Sequence, residues 1–103
     1  MQVTLFKKQE KIILAGSVSF ENVDTVYQSG IKLIQAESNP CIDCSALVHT
    51  DSSALALLIA WVRFAKNRQK DLVFDNVTET VFNLSRVYGL ESILPFSYRG
   101  CSQ

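Results

Sequence analysis

An excess of charge of either sign is what this sequence most plainly lacks. Ten Lys and Arg balance ten Asp and Glu, for a formal net charge of zero. Residues 1–51 hold four basic and six acidic groups, and residues 52–103 hold six and four. Neither half therefore has the positive field that a phosphate backbone requires, and no nucleic-acid partner is expected. The nearest approach to a basic patch is Arg63, Lys66, Arg68 and Lys70. They fall where a helix would end, and cations there complement the negative end of its dipole. Histidine is also scarce, since His49 is the only one. A four-ligand zinc site would have to recruit carboxylates or Cys101. No G-x-S-x-G motif is present, and a single histidine three residues before Ser52 has no orienting partner, so a nucleophilic serine is not expected. Without a constellation of acid, base and nucleophile, the chain reads as no enzyme, with no cofactor and no metal.

Long apolar runs are missing too. The longest, Ala54 to Val62, has nine residues and ends at Arg63, whereas a bilayer span needs roughly 20. The opening "MQVTLFKKQE" has no apolar core or cleavage site of the secretory kind. These features predict a cytoplasmic protein with no direct membrane insertion. The three cysteines are an odd count, which argues against a disulfide framework. Cys41 and Cys44 form a CxxC in what reads as a short buried strand. Residues three apart on a strand point to opposite faces, so two buried structural thiols are expected.

What is present is apolar bulk. Hydrophobic residues make up 48% of the 103, and a chain of this length fits one domain, residues 1–103, with little room for two cores. A small domain buries a modest share of its surface, which leaves apolar residues for a partner. No linker, repeat or low-complexity stretch interrupts it.

"VTLFKK" alternates weakly and reads as a strand. In "KIILAGSVSF" the residues Ile12, Leu14, Gly16, Val18 and Phe20 share one face at period two, a second strand, with a hairpin over Lys7 to Lys11. The period changes in "ENVDTVYQSGIKLIQAE", where Val23, Val26, Tyr27, Ile31 and Ile34 form a helical stripe. Asn22 or Ser19 would cap it, and Gly30 weakens its interior. Asn39-Pro40 ends that unit and "CIDCS" follows as a buried strand. A helix over about 52 to 69, a strand in "DLVFDNV" and a helix in "TETVFNLSRVY" complete the pattern. Asn76 with Glu79 resembles a capping box for the last helix, Gly89 suits its left-handed end, and the tail to Phe96 is apolar enough to pack down. The order is β-β-α-β-α-β-α. Strand–helix–strand units demand parallel neighbours, so the fold class is α/β: a mixed four-stranded sheet with about three helices against it.

The helix after "VHTDSS" carries two apolar stripes. Leu55, Leu58, Ile59, Val62 and Ala65 suit packing on the sheet. Leu57, Trp61 and Phe64, at i, i+4 and i+7, lie opposite. Either neighbouring helices or the tail cover them, or they form the centre of a partner surface. Before them, Asp51 and Ser52 are both good N-caps. A hydroxyl at a helix start also sits in a field that tolerates phosphate, which makes Ser52 a candidate phosphorylation site.

Over "CIDCSALVHTDSSALALLIAWVRFAKNRQKDLVFDNV" the chain resembles STAS domains, the fold of anti-sigma factor antagonists and of sulfate-transporter tails. Ile42, Asp43 and Ser45 match the family's apolar-Ile-Asp-apolar-Ser strand. Asp51, Ser52 and Leu55 match the Asp-Ser/Thr-x-Gly turn and Leu-rich helix that follow. Ala54 replaces the turn's glycine, and "GSVSFENV" replaces the Gly-Glu-Leu/Val-Asp of the antagonists, a region they use to meet their kinase. "VFNLSRVYGLESILPF" is similar to the small STAS subunit of Mla-type phospholipid-transporting ABC complexes, which binds the complex's ATPase beside the inner membrane. That resemblance implies an ATPase-binding, non-catalytic role in lipid asymmetry. Thr50, Asp51, Ser52 and Ser53 would form the polar edge of the contact, and Leu57, Trp61 and Phe64 its apolar body if exposed. The alternative it implies is an antagonist switched by an anti-sigma factor serine kinase at Ser52.

Overall fold

The structure, a computed structural model, describes residues 3–49, 52–90, 94, 96 and 97. Its elements are β1 (Val3–Lys8), β2 (Lys11–Ser17), α1 (Val23–Gln35), β3 (Cys41–His49), α2 (Ser52–Asn67), β4 (Val73–Asp75), α3 (Glu79–Val87) and β5 (Phe96–Ser97). The expected β-β-α-β-α-β-α order is present, and the two-residue β5 extends the sheet. Strand order is β1-β2-β3-β4-β5. β1 and β2 pair antiparallel with Lys8 opposite Lys11, and every later pair is parallel. Gln9, at φ 58, takes the left-handed position that so tight a hairpin requires.

Successive strands from β2 onward move in one direction across the sheet. Right-handed crossovers then bring α1, α2 and α3 to the same side. The residues facing them form a continuous apolar row: Ile12 pairs with Ile42, Ile42 with Phe74, and all three are buried. Each helix also runs antiparallel to the strands. All three helices therefore start at the sheet's carboxyl edge and end at its amino edge.

The helical stripe of α1 is where the spacing puts it: Val26, Gly30 and Ile34 are buried, and Val23, Tyr27 and Ile31 pack partly against the core. Both later helices end on a left-handed residue. Gln69 (φ 57) follows α2, with the Lys70 amide bonded to the Ala65 carbonyl at 2.9 Å. Gly89 (φ 69) follows α3, with the Leu90 amide bonded to the Ser85 carbonyl at 2.7 Å. Leu94 is buried, so part of the tail does pack down.

Four local expectations shift. The second strand does not run to Phe20. Register shifts between Ile13 and Ala15 and between Gly16 and Ser17, with Gly16 at φ 96, break the alternation. Val18 stays buried while Phe20 turns out to solvent, 75% exposed. Asn22 precedes α1 but makes no cap bond to it. The cap of α3 is Thr78 rather than Asn76: its Oγ1 accepts the Val81 amide at 3.3 Å.

The largest correction concerns α2. Leu57 and Trp61 do not face outward; they are 1% and 0% exposed. The indole fills the space between α1 and α2, with Nε1 donating to the Tyr27 carbonyl at 3.3 Å. Gly30 makes this possible, because a Cβ there would lie 2.3 Å from the indole Cζ2. Phe64 is half-buried against the core, with the Arg68 guanidinium 5.1 Å from its ring centroid. A helix flanked by others buries its sides as well as its underside, so the second apolar stripe is lateral packing. The face that α2 shows to solvent is Ser52, Ala56, Ala60 and Arg63.

Two substitutions test this packing. Trp61→Ala is expected to cost about 3–5 kcal/mol of folding stability. Gly30→Ala, although favourable for an isolated helix, is expected to cost about 1–3 kcal/mol through overpacking. Chemical denaturation monitored by circular dichroism measures both; a wild-type midpoint for Gly30→Ala would refute the close approach.

Candidate partner-binding site

The carboxyl edge of a parallel sheet gathers the loops that lead into helices, and sites concentrate there. At this edge lie the β2–α1 loop, the end of β3 and the starts of all three helices. The first of these is held by Asn22. Its Oδ1 accepts the Ser19 amide and its Nδ2 donates to the Ser17 carbonyl, both at 2.9 Å. The Ser19 carbonyl in turn accepts the Val23 amide at 2.9 Å. This closed set of bonds fixes a short loop with Phe20 at its tip.

Ser52 is exposed at the first turn of α2, whereas Ser53 beside it is 1% exposed. Thr50 and Asp51 lie outside the described residues. Of the residues expected to make a partner surface, Ser52 is thus accessible, Ser53, Leu57 and Trp61 are interior, and Phe64 lies between. The apolar accessible surface is elsewhere. A groove of about 260 Å³ runs between α1 and α2, lined by Val23, Asp24, Tyr27, Ala56, Leu57 and Ala60. Two small residues one turn apart, Ala56 and Ala60, leave the opening, with Leu57 as its floor. Ser52 stands one turn before Ala56. The groove, Ser52, Phe20 and Val48 (64% exposed) all belong to the carboxyl-edge end of the molecule.

On the sheet, Asp43 and Asp75 are paired neighbours on β3 and β4 and both are buried. Lys11 Nζ donates to Asp75 Oδ2 at 2.5 Å, and this bond, partly offset by desolvation, holds the Lys11 pKa above its ordinary value. Asp43 Oδ1 accepts the Ser45 amide at 2.8 Å and its Oδ2 accepts Asn76 Nδ2 at 3.1 Å. Asn76 (φ 54) is thereby tied to β3 as well as following β4. Burial pushes the Asp43 pKa up, but bonds from Ser45 and Asn76 together with the Lys11 charge outweigh it, and the net shift is downward. Cys44 is a free, buried thiol whose pKa is pushed up to about 12 by burial and the two nearby carboxylates, so it is inert at neutral pH. Cys41, expected as a second thiol, is instead disulfide-bonded. Among the described residues, no group of three or more His, Cys, Asp or Glu side chains could hold a metal ion.

Residues 1–95 match the family described as "Mlab, STAS domain". The chain belongs to the STAS family. Among solved structures, a chain of the Acinetobacter MlaFEDB complex in an ATP-bound conformation is 27% identical and superposes with a TM-score of 0.78. The match covers 92% of this chain and 100% of that one. The anti-sigma factor antagonist SpoIIAA in its unphosphorylated form is 16% identical at a TM-score of 0.70, covering 95% of this chain and 90% of that chain. A STAS domain protein from Planctomyces limnophilus is 14% identical at a TM-score of 0.64, covering 91% and 87%. The latter two share the fold. No curated protein sequence matches the chain.

Within this STAS domain the Ile-Asp-x-Ser strand is structural: Ile42 sits in the core row and Asp43 ties β3 to the segment after β4. The sequence pattern did not reveal the Lys11–Asp75 pair, whose members are 64 residues apart. Nor did it reveal the groove. The only hint was the Ala56/Ala60 spacing, since small residues at i and i+4 on an otherwise bulky helix leave room for a visitor.

The Asp43 bonds make stability depend on pH. A carboxylate with a folded pKa below its unfolded one stabilises the fold above the unfolded value, near 4, and this is lost as pH falls through the folded pKa. Asp43→Asn is expected to flatten the decline in melting temperature between about pH 5 and pH 2 relative to the wild type. Parallel decline in both proteins would assign acid sensitivity to other groups.

Proposed function

We propose that this protein is a non-catalytic STAS subunit that binds the ATPase of a phospholipid-transporting ABC complex and supports its activity. In this reading residues 1–103 form one domain. It lies in the cytoplasm, held beside the inner membrane through its partner, and serves the maintenance of outer-membrane lipid asymmetry. The observation that carries the reading is the similarity to a chain of the Acinetobacter MlaFEDB complex along the whole of that chain. No helix among the described residues is long and apolar enough to cross a membrane, which suits a subunit docked onto its complex from one side.

The docking surface we infer is the carboxyl edge: Ser52 as its polar point, the α1–α2 groove as the pocket for an apolar side chain of the ATPase, and Phe20 as a projecting anchor. Aromatic anchors and filled pockets carry most of the energy at such interfaces. Trp61 and Leu57 serve indirectly, by fixing the spacing of α1 and α2 that opens the groove. Regulation follows from differential fit. A rigid edge that matches one ATPase conformation better than another shifts the ATPase toward the first, by no more than that difference in affinity.

An exposed Ser52 hydroxyl at the start of α2 also supports the alternative, an anti-sigma factor antagonist switched by a serine kinase. The two readings separate experimentally. Ser52→Arg and Ala56→Arg, both at exposed positions, are expected to lower co-purification of the ATPase at least about tenfold, with melting temperatures near wild type. Undiminished complex yield for both would overturn the ATPase reading. Phosphate on Ser52 in protein isolated from cells, with loss of partner binding, would favour the antagonist.

A further inference from the structure

The molecule is neutral overall, but its charge is not evenly placed. Glu21, Asp24 and Glu79 occupy the carboxyl edge, and no Lys or Arg among the described residues joins them. The amino edge is the reverse. There the last turns and exits of all three helices meet the β1–β2 hairpin. That edge collects Lys8, Lys32, Lys66, Arg68, Lys70 and Arg86. Among the described residues there, Glu10, Asp71 and the buried Asp43 stand without a salt bridge; Glu37 pairs with Lys7, and Asp75 with Lys11. Among the described residues, none of the six cations is held in an ion pair. Lys70 donates to the Glu37 carbonyl at 2.5 Å, and Arg68 and Arg86 lie over the Phe64 and Phe82 rings.

Cations near helix ends are ordinary complements to the helix dipole. Here, however, they are joined by apolar surface on the same edge. Val87 and Tyr88, at the end of α3, are 79% and 56% exposed. Basic side chains around a projecting tyrosine fit a boundary between water and lipid headgroups: tyrosine favours that boundary, and anionic lipid attracts Lys and Arg within a Debye length.

We propose that the amino edge is a peripheral docking surface for an anionic phospholipid membrane, with the six cations on the headgroups and Tyr88 and Val87 at the interface. The partner is chosen by charge complementarity. The contact is superficial, because the edge offers two apolar side chains rather than an apolar helix face. It leaves the carboxyl edge free, so a protein partner and a membrane can be engaged at once. It rests on no feature of the ATPase contact.

The test is co-sedimentation of the full-length chain, without any partner, with vesicles of phosphatidylcholine alone or with about a third phosphatidylglycerol. Binding is expected only to the anionic vesicles, and is expected to disappear at about 0.5 M salt, where the Debye length shrinks to a few ångströms. Lys66→Glu with Arg86→Glu is expected to lower partitioning at least about tenfold. Lys8→Glu with Lys32→Glu, on two other elements, is expected to do the same, and melting temperatures confirm folding of each. No binding to anionic vesicles, equal binding to neutral ones, or wild-type partitioning of both charge-reversed proteins would overturn the proposal. Binding to soluble polyglutamate without binding to anionic vesicles would also overturn it, and would assign the edge to an acidic protein surface.

Discussion

The seating of one indole between two helices decides what this protein shows to its surroundings. Trp61 is the largest fully buried side chain, and it is accommodated only because Gly30 has no side chain at the point of approach. The ring fills the space where α1 passes α2 and sets their separation, with Ser52, Ala56 and Ala60 turned outward and a shallow groove left between the two helices. A glycine that is unfavourable for α1 alone is thus necessary for the pair, a local penalty of about 1 kcal/mol exchanged for a larger gain in packing.

The second organising constraint is topological. Because the strands add in one direction from β2 to β5, every helix starts at one end of the sheet and stops at the other. Helix starts favour carboxylates and helix ends favour cations. Cations at the ends of all three helices, with carboxylates at the starts of α1 and α3, polarise a neutral protein. The same arrangement gathers the helix-entry loops at one end of the sheet and the helix exits at the other.

Much of the architecture was legible in the sequence, because it rests on periodicity. The α1 stripe, the alternation of Ile12 and Leu14, and Gly89 as a helix stop are local patterns with one physical reading. The misread positions depended on neighbours that periodicity does not name. Spacing shows that Leu57, Trp61 and Phe64 share a side of α2. Whether that side meets α1 or solvent depends on how helices sit beside one another. Phe20 was placed inward by extending an alternation that the bends at Gly16 and Ser17 interrupt. Asn76 looked like a cap because it precedes a helix with the right partner at three residues, but its amide is bound to Asp43, 33 residues earlier. Ser52 lies exposed at the helix start where the sequence puts it, since a hydroxyl at the start of a helix is itself a local feature. The surface around it was not legible, because small residues signal a groove only once the opposing wall is known.

The margins of the sheet carry a further consequence. One margin is β1, studded near its end with Lys7 and Lys8; the other is β5, two residues long. Unpaired backbone on an outer strand is a template for another chain, and short or lysine-bearing outer strands are poor templates. The molecule is therefore protected against runaway self-association through its backbone, even though almost half of its residues are apolar. Its associations are left to side chains on helices and loops, where fit can be selective and reversible.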